Sequence, residues 1–187
     1  MNRPNTVDEV IALYEAKGAE HYGESVSQLD HALQCAALAQ ADGADDALVA
    51  AALLHDIGHL VADVQADEGY RMGIDDDDHE SVGAKVLAPI FGPAVAQPVA
   101  LHVTAKRYRC AVDPTYLAAL SPTSTATLAA QGGPLDEEAC ERFAAHPGSE
   151  GALALRTWDD IGKMPEMVTP SLADLRPMLE RLAGERS

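Results

Sequence analysis

The sequence is poor in aromatic residues, in basic residues and in cysteine. Phe, Trp and Tyr together make up 4% of its 187 residues. A core with so few large rings has to be closed by small side chains, and the dominance of alanine favours closely packed helices. No stretch alternates apolar and polar residues long enough to support a sheet, so the expected class is all-α. Lys and Arg number 13 against 30 Asp and Glu, a net charge of −17. Such a surface repels phosphate backbones and excludes nucleic acid as a polymeric partner, while leaving room for a small anion held in a local pocket of Lys and Arg. Cys35, Cys110 and Cys140 form no close-spaced pair. Their odd number, with a start that lacks an apolar signal-like region, leads us to expect free thiols and a cytoplasmic protein. No apolar run approaches the roughly 20 residues of a membrane span, so no membrane partner is expected.

What is present is one organised chain. Hydrophobic residues make up 47%, which excludes disorder. The length suits a single domain over 1–187, with a core from about 7 to 165 and a C-terminal helix from about 171 to 182. The central stretch is Ala50-Ala51-Ala52-Leu53-Leu54-His55-Asp56-Ile57-Gly58-His59. An apolar run ends abruptly in a His-Asp doublet. Burying Asp56 there is costly unless it is paired or metal-bound. Imidazole nitrogen beside carboxylate oxygen suits first-row metals.

Around that stretch the punctuation predicts a series of helices. Thr6 caps the first, to Lys17, with Glu9 at capping-box spacing. A second begins near Ser25 or Ser27, runs to Gln40 and carries His31 and a core Cys35. Asp45 caps a third, which delivers the doublet. The run Asp75 to Asp78 is expected to cap a helix over Val82 to Ile90, with His79 in its first turn. The helix from Val95 to Arg109 carries His102 and Lys106, which share a face at i, i+4. Shorter helices follow Pro114, Ser121 and Asp136. The helix from Ser149 to Lys163 carries Arg156 and Asp159, an i, i+3 pair. The last, from Ser171 to Leu182, is expected to be interrupted or bent near Pro177.

These segments together offer His31, His55, Asp56, His79, His102 and Asp159. Four nitrogens and two carboxylates can serve two metals bridged by one carboxylate, with Asp56 the natural bridge. Spacing alone leaves one metal or two open. Hard carboxylates with imidazoles, and no clustered cysteines, point to iron or manganese before a structural zinc.

The order His31, then His55-Asp56, then a distant aspartate resembles the HD-domain superfamily of helical metal enzymes. The chain is most similar to its phosphonate-cleaving, mixed-valent di-iron oxygenases (the PhnZ type), kin to myo-inositol oxygenase. The resemblance rests on Tyr22-Gly23-Glu24, Gln28 to Gln34, Ala51 to His59, His79-Glu80, His102 to Tyr108, Leu120 to Ser124, Gln131-Gly132-Gly133-Pro134 and Arg156 to Asp160. It implies a helical bundle around a dinuclear site. His31, His55, Asp56 and Asp159 would hold one iron. Asp56 would bridge to a second, held further by His79 and His102. Lys106, His59, Ser124 and Arg156 match positions around the phosphonate, with Asp56, His59 and Lys106 taking part in catalysis. Glu24 matches a position facing a cationic nitrogen of the substrate, and Gln28 a hydrogen-bonding one. In the family a loop tyrosine three residues before the glutamate caps the open iron. Here His21 occupies that place and Tyr22 follows, so the cap falls to Tyr22, to His21 or to neither.

The implied reaction uses an Fe(II)/Fe(III) pair and O2 to cleave the C–P bond of a 1-hydroxyphosphonate, such as 2-amino-1-hydroxyethylphosphonate, giving phosphate and a carboxylic acid. Two rivals share the same residues. One is an HD-type phosphohydrolase acting on a nucleotide or phosphomonoester. The other is a non-catalytic HD module, which the presence of all six candidate ligands disfavours.

Overall fold

The computed structural model describes residues 3–21, 26–61 and 78–184, which form eleven α-helices and no strand among the described residues. They are α1 (Val7–Lys17), α2 (Gln28–Ala41), α3 (Asp46–Leu54), α4 (Ile57–Val61), α5 (His79–Phe91), α6 (Pro93–Val112), α7 (Pro114–Ala119), α8 (Pro122–Ala130), α9 (Glu137–Ala144), α10 (Ser149–Ile161) and α11 (Leu172–Gly184).

Local side-chain chemistry sets most of the starts. The Thr6 hydroxyl accepts from the Glu9 amide, and the Glu9 carboxylate reaches one residue past the cap to the Asn5 amide at 2.7 Å. Ser27, Asp45, Ser121 and Asp136 each accept from the amide three residues on. Asp78 does not behave this way. It precedes α5 at φ +51° and makes no side-chain cap, so the expected aspartate cap is absent there, and Asp75 to Asp77 lie outside the described residues.

Helix α3 is the axis of the core. Ala50 to Leu54 have no exposed surface, and α2, α6, α10 and α11 pack around them. Small side chains let these helices approach closely. α5 and α6 form a hairpin through Gly92, whose φ of +84° suits glycine. The Trp158 indole donates to Asp42 at 2.7 Å and fastens α10 to the end of α2. The Tyr14 hydroxyl donates to the Leu53 carbonyl at 3.0 Å, satisfying a group at the end of α3 that has no helical partner.

The last helix differs from expectation. α11 runs continuously through Pro177 and buries Leu172, Leu175, Met178 and Leu179 in the main core against α1, α3 and α5. This apolar face outweighs the single backbone hydrogen bond that proline removes. No described helix is long and apolar enough to cross a membrane.

Candidate metal centre

The His-Asp doublet falls where α3 stops and α4 begins. α3 ends at Leu54, and the chain turns through His55 and Asp56 before Ile57. The turn aims Asp56 into a cavity of about 100 Å³, which His31, His59, His79, His102, Lys106 and Asp159 also face, and leaves His55 fully buried behind it. α4 brings its Gly58 so close to α5 that a Cβ there would stand 1.9 Å from the His79 carbonyl oxygen. This contact seats His79 opposite the doublet, where its ring stacks on His59 at 4.0 Å.

The imidazoles are oriented from behind. Nδ1 of His31 donates to the Gly162 carbonyl at 2.7 Å, that of His55 to Ala52 at 3.0 Å and that of His102 to Val99 at 2.7 Å. A carbonyl oxygen can only accept, so these nitrogens carry protons, and the Nε2 atoms of His55 and His102 are left with a lone pair toward the cavity. The Nε2 atoms of His31 and His55 are 3.2 Å apart, and those of His79 and His102 are 3.1 Å apart. Asp56 stands between the two pairs. Its Oδ2 lies 3.7 Å from His31 and 3.4 Å from His55. Its Oδ1 lies 3.5 Å from His79 and 3.8 Å from His102. Asp159 completes the first group, with Oδ1 3.4 Å from His31 Nε2 and Oδ2 3.9 Å from His55 Nε2.

These separations fit metal binding. Donors held at about 2.1 Å and at right angles around one first-row cation stand about 3 Å apart. Without a cation, lone pairs would face one another across the cavity. Geometry also places Cys35 beside His31 and His55, and His59 beside Asp56 and His79, within the reach of a shared ion. Cys35 is spoken for: burial pushes its thiol pKa up, and the thiol donates to the Trp158 carbonyl.

The electrostatics agree with that donor set. Burial keeps His55 neutral and pushes His102 down to about 3. Burial would raise Asp56 and Asp159. The imidazoles of His55, His59 and His79 hold Asp56 below the usual carboxylate range instead. Arg156 and His31 do the same for Asp159. Burial would lower His31, but Cys35 and Asp159 outweigh it and the ring keeps a proton. That proton takes the place of positive charge among the carboxylates.

An anion cradle lines the same cavity. Lys106 is 3% exposed, and its ammonium donates to Thr127 Oγ1 at 2.6 Å and Gln131 Oε1 at 3.1 Å. Burial, then the Arg156 guanidinium, push its pKa down to about 8. Arg156 donates through Nη1 to Asp159 at 2.6 Å and through Nε to Asp160 Oδ1 at 3.1 Å. Ser124 is buried on the opposite wall. Gln28 is also buried there, and its Oε1 has no hydrogen-bond partner among the described residues. His21 is exposed, whereas Tyr22 and Glu24 lie outside the described residues.

Sequence reasoning missed the supports. Thr127 and Gln131, which hold Lys106, come from α8 and the turn after it. Asp160 holds Arg156 and is itself held by the Tyr116 hydroxyl at 2.7 Å and Arg109 at 3.3 Å. Only the i, i+4 spacing of Arg156 and Asp160 is a signal that sequence could have supplied.

Comparison with known proteins shows the family. A family model described as the HD domain matches residues 29–143. The hydroxymethylphosphonate dioxygenase of Gimesia maris is 41% identical over 174 residues, covering 93% of this chain and 86% of its own. The 1-hydroxy-2-(trimethylamino)ethylphosphonate dioxygenase (glycine-betaine-forming) of Leisingera caerulea is 36% identical over 189 residues, covering 99% and 94%.

Proposed function

The chain belongs to the HD-domain family, and from that premise we propose that it is a di-iron oxygenase that cleaves the C–P bond of a 1-hydroxyphosphonate with O2. The products are phosphate and a carboxylic acid, and one O2 is consumed for each bond broken. The substrate is 2-amino-1-hydroxyethylphosphonate or a close analogue, of which hydroxymethylphosphonate is the smallest. The observation that carries the reading is the division of Asp56, with one oxygen toward the His31–His55 pair and the other toward His79–His102, beside a buried Lys and Arg.

His31, His55, Asp159 and Asp56 would hold one metal, and His79, His102 and Asp56 the other. Oxygen and imidazole donors without sulfur favour iron or manganese over a structural zinc, and the choice of iron follows the resemblance. When bound, the metals supply a Lewis acid for the substrate's oxygens and a redox centre for O2. The protein does the rest by binding and orientation. Lys106 and Arg156 meet the phosphonate with charge-assisted hydrogen bonds, and Ser124 and His59 complete its surroundings. The buried Gln28 Oε1 accepts from a hydroxyl or amine hydrogen of the substrate. Glu24 is assigned to a cationic tail. His59 stands near enough to Asp56 and His79 to reach a metal, and its assignment to the phosphonate rests on the resemblance. A hydrolase of phosphomonoesters could use the same ligands, but hydrolysis of a C–P bond would have to expel a poor carbon leaving group.

The test is phosphate release and O2 uptake by iron-loaded protein on hydroxymethylphosphonate, 2-amino-1-hydroxyethylphosphonate and 1-hydroxy-2-(trimethylamino)ethylphosphonate, in air and under anaerobic conditions. Equal amounts of phosphate formed and O2 consumed are expected from at least one. Phosphate release that persists without O2 would replace the oxygenase with the hydrolase.

A further inference from the structure

A second cavity, of about 330 Å³, lies directly behind the anion cradle and shares Ser124 and Lys163 with the metal-facing cavity. Its wall carries Arg109, Ser121 and Thr157. The Arg109 guanidinium lies over the Tyr116 ring, 3.9 Å from its centroid, and is 29% exposed. Only its Nη1 is engaged, with Asp160 at 3.3 Å and Thr157 at 3.5 Å, while Nε and Nη2 donate to nothing among the described residues. Among the described residues its wall carries two cationic side chains, Arg109 and Lys163, against one acid, Asp160. In a protein of net charge −17, this cavity therefore carries a local surplus of positive charge.

The position matters as much as the charge. Ser124 belongs to the phosphonate end of the proposed substrate site, so a phosphoryl group there borders the second cavity. While the C–P bond is intact, the carbon end tethers that group. Once the bond is broken, two anions share about 100 Å³, and the phosphate is free to move. We propose that the second cavity is an oxyanion site that receives the phosphate product after C–P cleavage and lets it leave apart from the carboxylic acid. The proposal rests on the oxygenase reading above.

Two variants test it without replacing a residue that lines the metal-facing cavity. Arg109→Met removes the charge, and Ala119→Trp fills the cavity from its exposed rim. Equilibrium dialysis of metal-loaded protein against radiolabelled inorganic phosphate should find two phosphates per wild-type chain. Each variant should bind one, and in Ala119→Trp, which keeps the Arg109–Asp160 contact, the affinity of the remaining site should stay within about twofold. A single phosphate on the wild type, or two on both variants, overturns the proposal. Turnover of hydroxymethylphosphonate separates exit from entry. For exit, Ala119→Trp should lower kcat and KM together several-fold and leave kcat/KM within twofold. A raised KM with kcat intact would make the cavity an entrance for phosphonate and overturn the exit assignment. Absence of wild-type turnover on every hydroxyphosphonate would count against the oxygenase reading, whereas the dialysis count reports on the cavity by itself.

Discussion

His31 and His55 turn their Nε2 atoms toward each other at 3.2 Å, each ring held from behind through Nδ1 by a backbone carbonyl. The two rings come from α2 and from the junction after α3, and neither can rotate away without losing its carbonyl. Their meeting point is where positive charge is needed. In the absence of a cation it is a proton on His31, held by Cys35 and Asp159 against the cost of burial.

Metal uptake should therefore stabilise the protein and release a proton. A ligand at about 100 times its Kd adds about 2.7 kcal/mol, which for a chain of this size is roughly 5–10 °C in Tm. Calorimetry of chelator-treated protein with and without ferrous iron checks this. Metal affinity should fall as pH falls, because the proton on His31 competes with the metal.

Asp56→Ala removes the carboxylate that faces both histidine pairs. Its expected outcome is loss of at least one metal per chain and of all turnover, with helical content retained. His79→Ala should lose one metal and keep the other. Elemental analysis of both variants decides the matter, and two irons retained by Asp56→Ala would remove Asp56 from the bridging position.

Lys106 should impose an alkaline limit on substrate capture. Its pKa, pushed down by burial and then by Arg156, stands near 8. The ammonium that meets a phosphonate is therefore present below about pH 8 and lost above it, so kcat/KM should decline on that side. Lys106→Arg keeps its charge at any accessible pH and should abolish that decline, though with a higher KM. A pH profile of kcat/KM for both proteins is the check.

Asp160 and Tyr116 hold Arg156 in place without lining the metal cavity. Asp160→Asn removes the charge from its paired hydrogen bonds, a loss of about 1.5–3 kcal/mol, or roughly 10- to 100-fold. The loss should fall on KM with metal content unchanged. Tyr116→Phe should give a smaller change in the same direction. Steady-state kinetics beside iron analysis separates this positioning role from damage to the metal site.

Gly58→Ala should be severe for a position with so small a side chain. The added Cβ would meet the His79 carbonyl at 1.9 Å, and that carbonyl is backbone at the start of α5. A loss of about 3 kcal/mol is expected from such overpacking, together with weaker metal binding because His79 moves. Thermal unfolding and metal titration of the variant measure both.

The helix starts at Thr6, Ser27, Asp45, Ser121 and Asp136 were legible in the sequence because a cap is an interaction with an amide three residues away. The burial of Ala50 to Leu54 was legible because nothing polar interrupts the run before the doublet. Asp78 was misread for the opposite reason. Its left-handed backbone belongs to the place where α5 meets Gly58, a contact between elements that local spacing cannot express. The continuity of α11 was likewise out of reach, since Pro177 argues for an interruption or a bend and only the apolar face against α1, α3 and α5 argues for an uninterrupted helix.

Thus the sequence by itself determined an all-α chain with a His-Asp doublet at the end of a buried helix. It also put His102 and Lys106 on one face, and Arg156 within reach of Asp159. Each of these follows from composition or from spacing within a single helix. Only the tertiary structure decided which histidines face each other, which oxygen of Asp56 each pair receives, and that Thr127, Gln131, Asp160 and Tyr116 hold the two cations of the cradle. Those relations depend on where α2, α5, α6, α8 and α10 come to rest around α3, and that is settled by packing over long separations in the chain.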